Sequence, residues 1–467
     1  MLSRSKLLTE SFTVKGFWWL PGHENHNVPG EVSFEPYNAI NLTIQGSFAP
    51  EESRTRRLYN HHVILGLTDD NQPCTLIENS HLSSNRNFTR TTSEVYSTHY
   101  MFIGEHFEIF DDIRFVHCDV WYSRLEEWLW LQPFIQQRCT SSDSDKAFLT
   151  VTFDFPEVIK TDIVEKEISV EIRHGLHHES SAKTELLEYH SHFRFMALDT
   201  AQGVFQWYRN HIYDVQDFLS LLMNEPSFFR KVVGRLMSNS EQKRDIEIFF
   251  VQPLLENYQD PHFSNILIQY RDITDKFPLM LSKWLSNHED FKPLQDLFFG
   301  YFNHPDVHVN FGFLSLMQAL ESYHRTTMPG TYVTSDKYEE HRKVMVESLP
   351  ADLPSDLRDA LKARLKYGNE FSLRKRLGQI FDILNPRLRK LICKDHREFI
   401  SQIVGDRNYL THYDQESKPE GFSAQRLYYS TQQLITLLVI LLLKDLSLDD
   451  DMIYKAVKEN RKLWPWH

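Results

Sequence analysis

Strand-length alternation of apolar and polar positions fills the first two hundred residues, and helical spacing replaces it afterwards. Val32–Pro36, Ile40–Gln45, Val63–Leu67 and Cys74–Ile77 alternate or run apolar, separated by Gly, Asn, Asp and Pro. Thr98–Ile103, Ile113–Trp121, Phe148–Phe153, Ile168–Ile172 and His192–Leu198 continue the series. So many short strands predict an antiparallel sandwich or barrel-like module. Within it, Tyr122–Trp130 reads as a short helix packed by its rings. Further on, Gln216–Leu222 and Phe228–Met237 read as helices, and Asp245–Val251 and Ile266–Tyr270 as returning strands.

From Pro278 only helices are expected. They are Leu279–Ser286, Pro293–Phe302, Phe311–Arg325, Ser335–Ser348, Ser355–Tyr367, Ser372–Ile383, one from Pro386 through Ile403 toward His412, and Ser423–Leu446 as the long last one. Pro350, Pro354 and Pro386 mark breaks between them. The fold class is therefore α+β and multidomain. A β-rich antiparallel module spans 1–284, with a helical closing part from about residue 200, and an all-α helical bundle spans 285–467.

Composition narrows the setting. Of 467 residues, 25% are charged and 41% hydrophobic, as in ordinary soluble proteins. Cys74, Cys118, Cys139 and Cys393 are widely spaced, which argues against a disulfide framework and for a reducing cytoplasm. No apolar stretch follows the charged N-terminal residues, so no signal peptide is expected. The apolar run Leu434–Leu443 is short of the roughly 20 residues that span a bilayer, so it reads as a buried helix and no membrane partner is expected. Net charge is −13, yet residues 285–467 carry 25 Lys and Arg against 25 Asp and Glu, which puts the whole deficit in the first module. Between Lys362 and Lys394, ten basic residues face only Glu370 and Asp382. That run, with Lys362, Arg364, Arg374, Lys375 and Arg376, has the charge to follow a phosphate backbone, and a solvated helix face is its simpler reading.

The chain has no P-loop, GxGxxG, HExxH or GxSxG. Histidines cluster at His23/His26, His61/His62, His174/His177/His178 beside Glu179, and His190/His192. They read as turn and strand histidines rather than metal ligands, so neither metal nor cofactor is expected. The segment Arg407-Asn408-Tyr409-Leu410-Thr411-His412 differs, because it pairs a phosphate-gripping guanidinium with an imidazole that can move a ribose proton. Spacing alone is weak, since Arg56/His61, Arg57/His62 and Arg173/His178 repeat it. On a regular helix the two side chains stand about 140° apart. Either an irregular turn at Gly405 brings them together, or two protomers pair their motifs across a two-fold axis. Asp449-Asp450-Asp451 reads as a solvated cap region.

The block Gly405–Asp414, followed by a polar loop and a leucine-rich helix, resembles the signature of the HEPN ribonuclease superfamily. Phe311–Arg325 is similar to the first helix of the HEPN domains in ApeA-like antiphage proteins, and Gly16–Gly22, Gly30–Phe34 and Trp284 resemble that family's N-terminal domain. The resemblance implies a metal-independent endoribonuclease without cofactor, dimeric through its bundle, that leaves a 2′,3′-cyclic phosphate or its opened product. It further implies abortive defence: a phage-derived trigger acts at the N-terminal module, and host RNA such as tRNA is cut. By position, Arg407 would hold the scissile phosphate, His412 would act as general acid and base, and Asn408 would orient either partner. Glu321 would lend polar support, although a plain ion pair explains it together with His324 and Arg325. The alternatives are a catalytically silent HEPN domain that binds RNA or nucleotides or acts as a scaffold, and a metal-dependent nuclease built on the N-terminal histidines.

Overall fold

The computed structural model describes residues 6–48, 60–86, 92–140, 147–198, 203–237, 243–252, 265–286, 288–304, 307–413, 416 and 418–463. The chain divides into two units, Met1–Ser286 and Asn287–His467.

In the first unit, six antiparallel strands close on themselves: β1 (Phe12–Trp19), β2 (Val28–Glu35), β3 (Ala39–Ile44), β4 (His61–Thr68), β5 (Pro73–Arg86) and β6 (Thr92–Thr98). They pair in the order β4-β1-β2-β3-β6-β5, and β5 returns to β4 to complete a barrel. Burial alternates along β1 and β3, so Val14, Trp18, Ile40, Leu42 and Ile44 point inward, as a period of two demands. Gly66 faces Trp18 so closely that a Cβ there would lie 2.3 Å from the indole, so only glycine fits.

The first half of β5 also pairs with β7 (Tyr100–Ile103), and through it the sheet leaves the barrel. After β8 (Arg114–Phe115) come β9 (His117–Tyr122), the short helix α1 (Leu125–Leu129), the ribbon β10 (Phe134–Thr140) with β11 (Ala147–Phe153), β12 (Ile159–Ile163), β13 (Ile168–Ser180) and β14 (Glu185–Ala197). Then follow β15 (Gly203–Val204), α2 (Phe205–Met223), β16 (Phe229–Met237), β17 (Lys243–Phe250), α3 (Tyr270–Ile273) and α4 (Phe277–Ser286). The extension runs β7-β17-β16-β9-β14-β13-β12. Tyr122 donates to Ile212 O at 2.7 Å, Trp128 to Ile268 O at 2.9 Å and Trp284 to Asp214 O at 2.8 Å, so the polar tips of these three buried rings find backbone acceptors.

Two expectations fail here. Phe228–Met237 is not helical but forms β16, whose adjacent Val232 and Val233 suit a pleated ladder between β9 and β17. Ile266–Tyr270 is not a strand. Its buried side chains lead into α3, and Ile268 makes single backbone bonds in place of a ladder.

The second unit is helical: α5 (His288–Phe302), α6 (Val309–Thr327), α7 (Ser335–Glu347), α8 (Ser355–Lys366), α9 (Leu373–Asp382), α10 (Pro386–Ile392), α11 (His396–His412), α12 (Ala424–Asp445) and α13 (Asp450–Glu459). The α5 helix starts ahead of Pro293, which sits inside it rather than at its head. The long helix expected from Pro386 is broken at Cys393–Asp395, because the Asp395 carboxylate caps a new helix by accepting the Arg397 and Glu398 amides. The last helix is α13, not α12: Asp449 accepts the Met452 amide as its N-cap, and Asp450 and Asp451 favour the positive end of its dipole. Among the described residues, α12 is the one helix long and apolar enough to cross a membrane, and 72% of its most apolar window is buried in its own unit. Every side chain from Leu434 to Leu443 is buried, against α6, α10 and α13.

Candidate active site

Helix α11 carries the Arg407–His412 block and remains regular through His412. Gly405 does not bend it, and the chain leaves the helix only at Tyr413, which is left-handed at φ 49° and donates its amide to Tyr409 O at 2.6 Å. Phe399, Ile403, Asp406 and Leu410 lie on the buried face. Asn408 and His412 are exposed one turn apart on a shared face, while Arg407 is half-buried on another. The irregular turn that would have joined Arg407 and His412 within one chain is therefore absent. On this helix they stand about 140° apart around the axis and about 7.5 Å apart along it.

The start of α12 holds the end of α11. Ser423 caps α12, Gln402 donates to Ser430 Oγ at 2.9 Å, and Tyr409 packs edge-on against Phe422. Asp406 is 0% exposed and accepts from Arg426 at 2.6 Å. Burial raises its pKa from the usual carboxylate value, and Arg426 opposes that rise. Its second oxygen has no partner among the described residues. Because Arg426 takes this carboxylate, the only side-chain bond of Arg407 among the described residues runs to Asn408 Oδ1 at 3.3 Å. The guanidinium thus keeps most of its donors for a phosphate. Arg426 was not singled out from sequence. The available signal was a cation in the first turn of a helix, where the dipole disfavours it unless a carboxylate answers.

The other candidates lie on α6, α8 and α9, of which α6 and α9 pack against α11. Glu321 pairs with Arg325 at 3.0 Å, and Arg325 reaches Glu370 at 2.8 Å, so this trio is an ordinary ion-pair chain. His324 is buried, donating to Gln379 at 2.7 Å and accepting from Arg376 at 3.0 Å. Arg376 is 2% exposed and also serves Phe371 O and Glu370, so it is withdrawn from the phosphate-binding set as an interior tie. Lys362, Arg364, Arg374 and Lys375 are exposed. Lys362 leans on Asp359 at 3.4 Å, and Arg364, Arg374 and Lys375 have no carboxylate partner among the described residues.

In the first unit the histidine groups do not converge. His174 bonds Ser191 and Tyr189, His177 meets Glu179 at 2.9 Å, and His178 meets Glu185 at 2.7 Å. Arg173 and His178 lie five positions apart on β13 and so face opposite ways. Arg56 and Arg57 lie outside the described residues.

The ApeA N-terminal domain 1 family matches residues 13–284, and the Apea-like HEPN family matches residues 314–452, which include α11 and its block. The chain belongs to the ApeA-like HEPN family. This membership places it with HEPN nucleases of antiphage defence, whose HEPN domains commonly bind RNA and dimerise. No curated protein and no solved structure matches it.

Proposed function

We propose that this ApeA-like HEPN protein is a metal-independent endoribonuclease that cuts host RNA, tRNA among its substrates, in abortive antiphage defence. The observation that carries the reading is a guanidinium with most of its donors unused among the described residues and an exposed imidazole, turned about 140° apart on one regular helix. Two copies of α11 facing across a two-fold axis supply the missing half, Arg407 from one protomer and His412 from its partner. His412 takes the ribose 2′-hydroxyl proton, the oxygen attacks phosphorus, and the 5′-oxygen leaves with a proton returned from an imidazolium. The products are a 2′,3′-cyclic phosphate and a 5′-hydroxyl. Arg407 stabilises the charge that builds on the phosphoryl oxygens, and Asn408 steadies the imidazole from one turn below. Lys362, Arg364, Arg374 and Lys375 supply charge for the rest of the RNA. The β-rich unit is the sensing part, where a phage-derived trigger acts. Removing residues 1–284 should change cleavage or toxicity, and indifference to that removal would discard the sensing role.

The decisive experiment measures cleavage of pooled cellular RNA in EDTA by wild type, Arg407→Ala, His412→Ala and a mixture of the two variants. Each variant alone should be inactive. Random pairing in the mixture should restore about a quarter of wild-type activity, because half the dimers then hold one intact cleft. Activity in both single variants would reject the site, and no rescue on mixing would reject the shared cleft.

A further inference from the structure

Helices α7 and α8 form a hairpin in which no side chain of either helix is buried. They touch each other, and Tyr338 donates to Leu365 O at 2.6 Å between them. Two helices this short gain little from propensity alone and need tertiary anchoring. Anchoring is concentrated at the base. Phe371 N–H donates to Gly330 O at 2.8 Å and Tyr332 N–H to Asn369 O at 3.0 Å, around a β-bridge between Thr331 and Glu370. The Asn369 side chain bonds both polar backbone groups of Val333, at 3.0 and 2.9 Å. Buried Arg376 fastens Phe371 O to His324 of α6. The hairpin is thus an arm on a fixed base.

That base is a cluster of rings and cations. Lys375 Nζ lies 4.1 Å from the Tyr332 ring centre and 3.7 Å from that of Phe371, whose rings meet edge-on at 4.8 Å. Even so, Tyr332 is 54% exposed and Tyr367 62% exposed. Arg364, three residues before Tyr367, and Arg374, next to Lys375, are exposed and without a carboxylate partner among the described residues. Residues 360–375 contain five basic residues and one acid, Glu370, whereas α7 holds four acids against three bases. The positive charge is therefore concentrated from the end of α8 to the start of α9 and complements a polyanion. Exposed rings interleaved with cations match unpaired nucleotides, whose bases stack while their phosphates pair, better than a duplex with its bases hidden.

We propose that the base of the α7–α8 arm is a second RNA contact that grips an unpaired stretch of the substrate beyond the nucleotides held by Arg407 and His412. Stacking on Tyr332 and Tyr367 selects single-stranded loops or tails, and Arg364, Arg374 and Lys375 hold their phosphates. This rests on RNA being the substrate.

The test uses full-length His412→Ala protein, which should bind RNA without cutting it. Fluorescence anisotropy is read with a labelled mixed-sequence single-stranded RNA 20-mer and with a blunt duplex of equal length, across a salt series. Adding Tyr332→Ala and Tyr367→Ala should weaken single-strand binding at least ten-fold and leave duplex binding within two-fold. Adding Arg374→Glu and Lys375→Glu instead should lower the single-strand salt slope by about 1.4, the share of two phosphates. Circular dichroism checks that helix content is kept. Unchanged single-strand affinity in both sets overturns the proposal, as does equal loss for duplex and single strand. Loss of dimer mass in sedimentation with RNA affinity intact overturns it too, and assigns the arm to a protein contact. Arm-dependent binding by a wild type that never cleaves would leave this contact standing and sink the nuclease reading. Cleavage with arm-independent binding would do the reverse.

Discussion

Two histidine sites, one from each unit, play opposite parts. In the β-rich unit, His117 and His192 lie nearly buried beside Asp119, which Arg194 holds through two bonds of 2.7 Å. His192 stacks on Trp121 at 4.6 Å, and burial lowers both imidazoles to about 4 despite the nearby carboxylate. In the helical unit, His412 is exposed in the last turn of α11 with no bond to a described side chain. A histidine that serves the interior is neutral and enclosed, whereas one that serves a substrate must present its ring to solvent. The chain has 23 histidines, so abundance carries no functional message and placement carries nearly all of it.

The largest test of that contrast is catalytic. His412→Ala should lower kcat/KM for RNA by roughly 10³-fold, within the usual range for losing a general acid–base. The double change His177→Ala, His178→Ala on β13 should leave it within two-fold. A comparable loss from the β13 pair would erase the distinction.

Next comes the pair behind the block. Asp406→Ala leaves Arg426 half-buried without its carboxylate and should cost about 3–5 kcal/mol in urea unfolding followed by far-ultraviolet circular dichroism. Adding Arg426→Met should recover part of that loss, and a loss below about 1 kcal/mol would show that the pair does not hold α11 to α12.

Acid should separate the units. The folded pKa values of His117 and His192 lie below the unfolded value of 6.5. Between pH 6.5 and about 4 the unfolded chain therefore binds protons that the folded chain refuses, and stability falls as pH falls. The loss is at most about 3 kcal/mol per imidazole. Glu126, raised by burial to about 6, works the other way and regains about 2 kcal/mol on acidification to its unfolded value. Asp406, also raised by burial, gives the helical unit the same opposite sign. Seven of the nine tryptophans lie in residues 1–284, so their emission follows the β-rich unit. Its acid transition should move to lower pH in His117→Gln, His192→Gln, and an unmoved transition would place the acid sensitivity elsewhere.

The smallest effect belongs to the arm. Val344 is 62% exposed on α7, so Val344→Ser should change stability by no more than about 0.5 kcal/mol. A cost above about 2 kcal/mol would mean that a partner covers the arm in solution.

Much of the architecture was readable from periodicity. Strands such as Ile40–Ile44 and Ile168–Ile172 announced themselves by apolar, mostly β-branched residues at alternate positions, and capping residues such as Ser372 and Ser423 placed helix starts within a residue or two. Phe228–Met237 was misread because a short apolar run fits either period, and only β9 and β17 on its flanks decide for a strand. At the candidate site, sequence supplied Arg407, Asn408 and His412 but neither the continuity of the helix through Gly405 nor the use of Asp406 by Arg426, twenty residues on. Arg374, Lys375 and Arg376 looked equivalent in a basic run, yet the helix turns the last inward while its neighbours stay in solvent.

Local chemistry written in the chain determined the two-part order of strands and then helices, the caps and the Arg-Asn-x3-His block, because those depend on neighbours within a few positions. Tertiary structure decided barrel closure, the burial of one arginine among three and the separation of Arg407 from His412 on a straight helix. Those outcomes depend on which distant surfaces meet, and on how a pitch of 3.6 residues per turn carries side chains around an axis.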